Sequence, residues 1–193
     1  MTDGSLPAGL FIETPWPECE AAAWATPDER AAAAAFGSER RRREYLTWRA
    51  IVRRELGRDV RITYDAVGAP VLVGRGEHLS VSHCDGRVAV CISARRCAVD
   101  IEPVTRSFGR VRSRYMTSEE QALADDPLLP AAVWCAKETL YKYAGRRELD
   151  LLRDLRITEA DLAAGRLAGC IAGGEPVAMT LLCREGYLAT FIL

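Results

Sequence analysis

The chain of 193 residues has no run of eighteen apolar residues, and its first stretch, MTDGSLPAGLFIETPW, has neither a basic segment nor a sustained apolar one. A membrane span and a secretory signal are therefore not expected, and the composition reads as that of a cytoplasmic protein. The seven cysteines (Cys19, Cys84, Cys91, Cys97, Cys135, Cys170 and Cys183) are odd in number and include no C-x-x-C pair. They suggest reduced thiols used as small hydrophobes, with neither a disulfide framework nor a zinc site. Charge of one sign is lacking too: 26 Lys and Arg against 27 Asp and Glu leave a net charge of -1. Attraction to a polyanion would have to come from local clustering. Aromatic residues make up only 7% of the chain, few for a surface that stacks bases, so no nucleic-acid partner is expected. What remains is 49% hydrophobic and 27% charged, enough to close a core in one domain or two small halves.

Turn and cap signals divide the chain. Leu10-Phe11-Ile12 reads as a strand, and Pro27-Asp28-Glu29-Arg30 opens an alanine-rich helix that Gly37 should stop. A longer helix runs from a Ser38 cap to Leu56, with Gly57 just past its end. Short apolar segments at 61–64, 71–73, 79–82, 88–92 and 97–101, separated by turns, describe an antiparallel meander. A polar, basic loop follows Pro103. Thr117-Ser118-Glu119-Glu120 has capping-box spacing, and Pro130 to Ala144 reads as a helix ended by Gly145. Strands return at 155–158, 177–183 and 187–193. Separate runs of strands and helices favour α+β, with a helix-then-strands pattern occurring twice and a division into residues 1–103 and 104–193.

Three short motifs carry chemistry. In Cys97-Ala98-Val99-Asp100-Ile101-Glu102 the alternation puts Asp100 and Glu102 on one strand face, roughly 7 Å apart. That face either meets solvent or holds a hard cation such as Mg²⁺. In Trp134-x-x-Lys137-Glu138-x-x-x-Lys142, Glu138 and Lys142 lie one turn apart, opposite the stripe Val133, Ala136, Leu140 and Tyr143. They form either an ordinary i, i+4 ion pair or a further carboxylate beside a phosphate-binding cation. Ser82-His83 sits where a strand meets a turn, satisfied by local backbone or donating to a phosphate.

Taken together, Ser82-His83, Asp100-x-Glu102 and Trp134-x-x-Lys137-Glu138-x-x-x-Lys142 resemble the 4'-phosphopantetheinyl transferases of the surfactin-synthetase-activating (Sfp) type. Gly68-Ala69-Pro70 is similar to that family's Gly-x-Pro turn, and Tyr115 to Glu120 to its aromatic-x-Ser/Thr-x-x-Glu segment. Cys84 and Ala98 stand where the family usually has serine and glycine, and its early basic pair is reduced to Arg30. The resemblance implies transfer of the phosphopantetheine arm of coenzyme A to a serine of an apo acyl or peptidyl carrier protein, releasing adenosine 3',5'-bisphosphate. It implies a pseudo-twofold pair of α+β halves, each a long helix on an antiparallel sheet, with the active site between them. Residues 1–103 would be the coenzyme side and 104–193 would carry the metal and transfer helix. Asp100, Glu102 and Glu138 would hold Mg²⁺. Glu138 would also help deprotonate the serine, and Lys142 would contact phosphate. Ser82 and His83 would touch phosphate of the coenzyme, Gly68, Ala69 and Pro70 would flank the adenine, and Arg40, counted along the first long helix, would meet the 3'-phosphate. The carrier would dock near Thr105 to Met116, onto Arg110, Arg112 and Arg114 with Phe108, Val111 or Met116 as apolar anchor. A monomer is expected, since the chain contains its own interface between halves. A metal-dependent phosphohydrolase could use the same carboxylates.

Overall fold

The computed structural model describes residues 6–193. A strand, β1 (Leu10–Glu13), and two short helices, α1 (Glu18–Ala22) and α2 (Pro27–Ala34), lead into the long helix α3 (Glu39–Leu56). Strands β2 (Ile62–Tyr64), β3 (Pro70–Leu72), β4 (His78–Cys84), β5 (Arg87–Ser93) and β6 (Ala98–Pro103) follow. A 3₁₀ helix (Phe108–Arg114), α4 (Ser118–Gln121) and α5 (Leu129–Ala144) precede the last four strands, β7 (Leu155–Asp161), β8 (Arg166–Ile171), β9 (Val177–Arg184) and β10 (Tyr187–Ile192).

Local chemistry fixes the helix ends. Thr26 accepts from the Glu29 amide while Glu29 reaches back to the Thr26 amide, closing a capping box with Pro27 inside the first turn. The same box forms between Thr117 and Glu120 at the start of α4. Gly145 ends α5 in the left-handed region at φ 61°, which a side chain adopts only at a cost. Ser38 precedes α3, but its side chain makes no capping bond, contrary to expectation. The Arg42 guanidinium instead ties this end down, donating to Phe36 O at 3.0 Å and to the Glu18 carboxylate.

The meander expected over 61–101 is really three separate pairings. β2 and β3 form a two-stranded ribbon, β1-β5-β4 form a three-stranded sheet, and β6 joins a five-stranded sheet in the order β6-β10-β9-β8-β7. All of these pairings are antiparallel, with Asp100 opposite Thr190 and Glu102 opposite Leu188. Spacing alone cannot tell β6 from a next meander strand. Burial decides it, because Val99 and Ile101 seal a cluster with Leu10, Cys91, Ala189 and Phe191 that bridges the two larger sheets.

Each larger sheet carries one long helix. Trp48, Ile51 and Val52 of α3 pack with Val88 and Val90 of β5. Val133, Ala136 and Leu140 of α5 pack with Leu155, Leu167, Met179 and Leu188 of the five-stranded sheet. The fold is therefore α+β with two sheet-and-helix sub-regions in pseudo-symmetric arrangement. Strand β8 leaves little trace in the sequence, because Gly165 and Gly169 flank and interrupt the segment. A Cβ on Gly169 would come within 2.9 Å of Leu140 Cδ1 and 2.7 Å of Arg156 O, so the missing side chain is what lets α5 lie close to the sheet.

The basic run on α3 is not one solvated face. Arg49 and Arg53 are buried and meet Glu29 at 3.3 and 2.8 Å, leaving Arg40 and Arg41 exposed near the helix start. The segment after Pro103 is a 3₁₀ helix rather than a loop, and two of its expected docking anchors face inward. Phe108 and Met116 belong to the core under α5, so only Val111, 38% exposed, remains as an apolar surface group. Arg110, Arg112 and Arg114 are exposed and have no ion-pair partner among the described residues.

Candidate active site

The two sub-regions meet at Asp100. Ser82 on β4 donates to Asp100 Oδ1 at 2.7 Å. Lys142 on α5 donates to the same oxygen at 2.8 Å and to the neighbouring Val99 carbonyl at 3.0 Å. Three segments far apart in sequence thus converge on one carboxylate oxygen. The other oxygen, Asp100 Oδ2, is buried and has no hydrogen-bond partner. A buried carboxylate oxygen without a donor costs free energy of the order of a lost hydrogen bond, about 1–3 kcal/mol, and is a ready acceptor for a cation.

Two further carboxylates stand within electrostatic reach. Glu102 Oε1 accepts from Trp134 Nε1 at 2.8 Å and from Arg106 at 2.7 Å. No described residue hydrogen-bonds to Glu138. Its pKa is raised, first by burial and then by the negative charges of Asp100 and Glu102, with Lys142 and Arg106 opposing. Beside them burial, reinforced by the charges of Glu102 and Asp100, pushes the Cys84 thiol up to about 12. Cys84 therefore stays protonated and is no thiolate nucleophile.

Among the described residues no three Asp, Glu, His or Cys side chains close up as a metal cage. The donor set nevertheless fits Mg²⁺. That ion prefers oxygen ligands, keeps several waters, and commonly takes one or two carboxylates together with substrate phosphate instead of an all-protein cage. Asp100 Oδ2, buried and without a hydrogen-bond partner, is the oxygen such an ion would meet first.

Two adjoining depressions extend from this centre. One, of about 220 Å³, is lined by Gly68, Ala69 and Pro70, by Leu79, Ser80 and Val81 of β4, by Cys97, and by Tyr141, Lys142, Arg146 and Arg147 at the end of α5. It is smaller than the roughly 300–1,000 Å³ of a complete small-molecule site and suits one part of a larger ligand. Its rim is pre-shaped: Asp65 Oδ1 accepts from the Val67 and Ala69 amides at 2.9 Å each, and Gly68 sits at φ 89°. The other depression shares Pro70, Val81 and Lys142 and adds Trp48, Tyr64, Ser82 and His83.

His83 lies 3.5 Å from Glu44 and 3.4 Å from Arg41. Its pKa is lowered, chiefly by burial and further by Arg41 and Lys142 against the pull of Glu44, so its ring is neutral near pH 7. The expected residues Gly68, Ala69, Pro70, Ser82, His83, Asp100 and Lys142 thus share one connected region, and Glu102 and Glu138 couple to it electrostatically. Arg40 is not among the residues lining either depression. It pairs with Asp85 at 3.1 Å in a separate hollow with Arg43 and Arg87. Arg43 is committed to the carbonyls of Trp16 and Pro15, and Arg30 to that of Ala25.

Sequence reading missed Arg41 beside His83, Arg106 on Glu102, and Arg146 and Arg147. No local pattern distinguishes these arginines from the others, whereas the lysines stand out. Of the chain's 26 basic residues only Lys137 and Lys142 are lysines, both in one motif. Lys137 proves to be a buried anchor, donating to Glu120 at 2.8 Å and to Leu151 O at 2.7 Å.

The model of the 4'-phosphopantetheinyl transferase superfamily matches residues 96–190, about half of the chain. The chain therefore carries a domain of that superfamily. The matched span contains Asp100, Glu102, Glu138 and Lys142, and leaves out Arg40, Gly68 to Pro70, Ser82 and His83. No curated protein matches the chain.

Proposed function

We propose that the protein is an Sfp-type enzyme that transfers the 4'-phosphopantetheine arm of coenzyme A to a serine of an apo acyl or peptidyl carrier protein. The observation that carries this reading is the convergence of Ser82 and Lys142 on Asp100 Oδ1, beside an unpartnered Asp100 Oδ2. Asp100, Glu102 and Glu138 would hold Mg²⁺, which when bound neutralises pyrophosphate charge.

The chain's own groups would do the rest. The carrier serine oxygen attacks the phosphorus that bears the pantetheine arm. The bond from that phosphorus to the pyrophosphate bridging oxygen breaks, and adenosine 3',5'-bisphosphate leaves. Glu138 would take the serine proton. Lys142 turns part of its charge from Asp100 to the phosphate, and Ser82 and the neutral His83 donate hydrogen bonds to it. Gly68 to Pro70 bound the adenine. No covalent enzyme intermediate is required, since positioning and charge neutralisation suffice for this displacement.

The exposed Arg110, Arg112 and Arg114, with Val111 among them, would receive the carrier, whose usual acidity lets charge steer the encounter. The test is intact mass spectrometry of a purified apo carrier after incubation with the protein, coenzyme A and Mg²⁺, with chromatography of the nucleotide product. One added phosphopantetheine per carrier and equimolar adenosine 3',5'-bisphosphate are expected. Cleaved coenzyme A with an unmodified carrier would establish a phosphohydrolase instead.

A further inference from the structure

Two buried thiols lie outside the chemistry described so far. Cys91 is on β5 and Cys97 immediately precedes β6, the two being joined through the turn Ala94-Arg95-Arg96. Both are free, and both belong to the cluster that bridges the two larger sheets. The Cys97 sulfur lies 3.6 Å from the carbonyl oxygens of both Cys91 and His78, and the two thiols share a hydrogen bond.

The pair is asymmetric. Cys91 is fully buried, whereas Cys97 is 6% exposed and lines the depression that also holds Gly68, Ala69 and Pro70. The hydrogen bond from Cys91 lowers the Cys97 pKa against burial, helped by the Ser93 and Ser80 amides. That same bond, together with burial, raises the pKa of Cys91. Elsewhere burial raises the thiols of Cys84, Cys135 and Cys183. A small oxidant entering the depression therefore meets the more thiolate-like sulfur of the pair first, with a protonated thiol behind it.

We infer that Cys97 and Cys91 form a redox modification site, at which a hydroperoxide converts the pair into a reversible disulfide that reshapes the depression. The Cys97 thiolate attacks the terminal peroxide oxygen, the O–O bond breaks, and the departing oxygen takes up a proton and leaves as an alcohol, or as water from hydrogen peroxide. Cys97 is then a sulfenic acid. The Cys91 sulfur attacks the Cys97 sulfur, the S–O bond breaks, and the hydroxide leaves as water with the Cys91 proton. The two thiols together lose a pair of electrons, which the peroxide gains. A sulfur–sulfur bond of about 2.05 Å is much shorter than the hydrogen-bonded contact it replaces, so the wall that Cys97 gives the depression has to shift. Just beyond Cys97 in the chain, the Val99 amide donates to Ser80 Oγ at 3.1 Å and the Val99 carbonyl accepts from Lys142 at 3.0 Å, which ties that shift to the carboxylate centre. The alternative use of these side chains, as small hydrophobes sealing the sheets, gives no selective oxidation.

The experiment treats the reduced full chain with a small excess of hydrogen peroxide, alkylates remaining thiols in denaturant and maps tryptic peptides without reduction. Cleavage after Arg95 and Arg96 puts the two cysteines on separate peptides, 88–95 and 97–106, so a link between them is read directly as mass. That linked pair should form before Cys84 or Cys135 is oxidised, and dithiothreitol should remove it. In Cys91→Ala, dimedone should instead label Cys97; in Cys97→Ala, Cys91 should stay a free thiol. Mapping of the wild type needs neither variant, so a variant that fails to fold leaves the test intact. Coenzyme A affinity, measured by calorimetry, should fall roughly tenfold in the oxidised wild type and return on reduction. Both thiols still free when the exposed Cys19 is fully oxidised, or a link that leaves coenzyme A affinity unchanged, would overturn the assignment. Only the affinity arm rests on the coenzyme A reading: reduced wild type that binds no coenzyme A would overturn that reading, and the peptide map would still decide the site.

Discussion

The two long helices are held by the same device used to different depths. In the first sub-region the capping-box residue Glu29, at the start of α2, turns inward to Arg53 and Arg49 of α3. In the second, the capping-box residue Glu120 of α4 turns inward to Lys137 of α5. The Glu29 side chain keeps 12% of its surface exposed and has two cationic partners. Glu120 is 1% exposed and Lys137 fully buried, and each has further partners: Glu120 also accepts from the Thr117 and Ile157 amides, and Lys137 also donates to Leu151 O.

A buried pair is weak evidence of net stabilisation, but removing one partner leaves an uncompensated buried charge. The second device pins α5 against β7 at the residue before Glu138. Because successive helix positions point about 100° apart, anchoring Lys137 inward turns Glu138 out toward Asp100 and Glu102. The pair that holds α5 is thus the more deeply buried of the two, while α3 packs beside one of the depressions.

The largest effect that would sharpen this contrast is on stability. Lys137→Met strands the Glu120 carboxylate and should cost about 3–5 kcal/mol in denaturant unfolding. Arg53→Met should cost clearly less, because Arg49 remains beside Glu29. Equal losses would break the comparison. Next comes catalysis. Glu138→Ala should lower kcat on the order of a hundredfold or more with little change in melting temperature, since its carboxylate lacks protein hydrogen-bond partners.

These devices were half legible in the sequence. Both Thr-x-x-Glu boxes can be read from spacing, and the second was. Their inward-facing glutamates could not be, because a capping box says only that the carboxylate reaches back to an amide, not which long-range cation shares it. Asp100 with Glu102 on β6, and Glu138 with Lys142 on α5, were legible because each pair lies within a single element. Arg146 and Arg147 were not, since no periodic pattern marks residues beyond a helix cap, and what singles them out is the distant Gly68 turn that folding brings alongside. The pairing of β6 with β10 escaped for the same reason: strand partners more than eighty positions apart leave no local trace.

Smaller effects concern the surface and pH. Replacing Arg110, Arg112 and Arg114 with serine should raise the carrier KM severalfold and flatten its dependence on salt, leaving coenzyme A affinity nearly unchanged. A carrier KM unaffected at every ionic strength would place docking elsewhere.

Burial tends to raise the Glu29 carboxyl pKa, but the Arg53 hydrogen bond, the Thr26 amide and the charges of Arg53 and Arg49 outweigh it, and the net pKa is lowered. A carboxyl lowered on folding contributes stability that is present above its unfolded pKa and lost as pH falls through the folded one. Glu29→Gln should therefore flatten the acid limb of the stability profile, seen by urea unfolding across pH 3 to 6. A limb of unchanged slope would show that other carboxylates govern it.

On the proposed function, segments from both sub-regions build one phosphopantetheinyl transfer centre around Asp100. This reading is tested most directly by following apo carrier mass with time for wild type and folded Asp100→Ala, each with coenzyme A and with Mg²⁺ present or chelated. The account predicts stoichiometric gain of one phosphopantetheine for wild type with Mg²⁺, and at least a hundredfold slower gain when either Asp100 or the metal is removed. Undiminished modification by Asp100→Ala in the presence of chelator would contradict it.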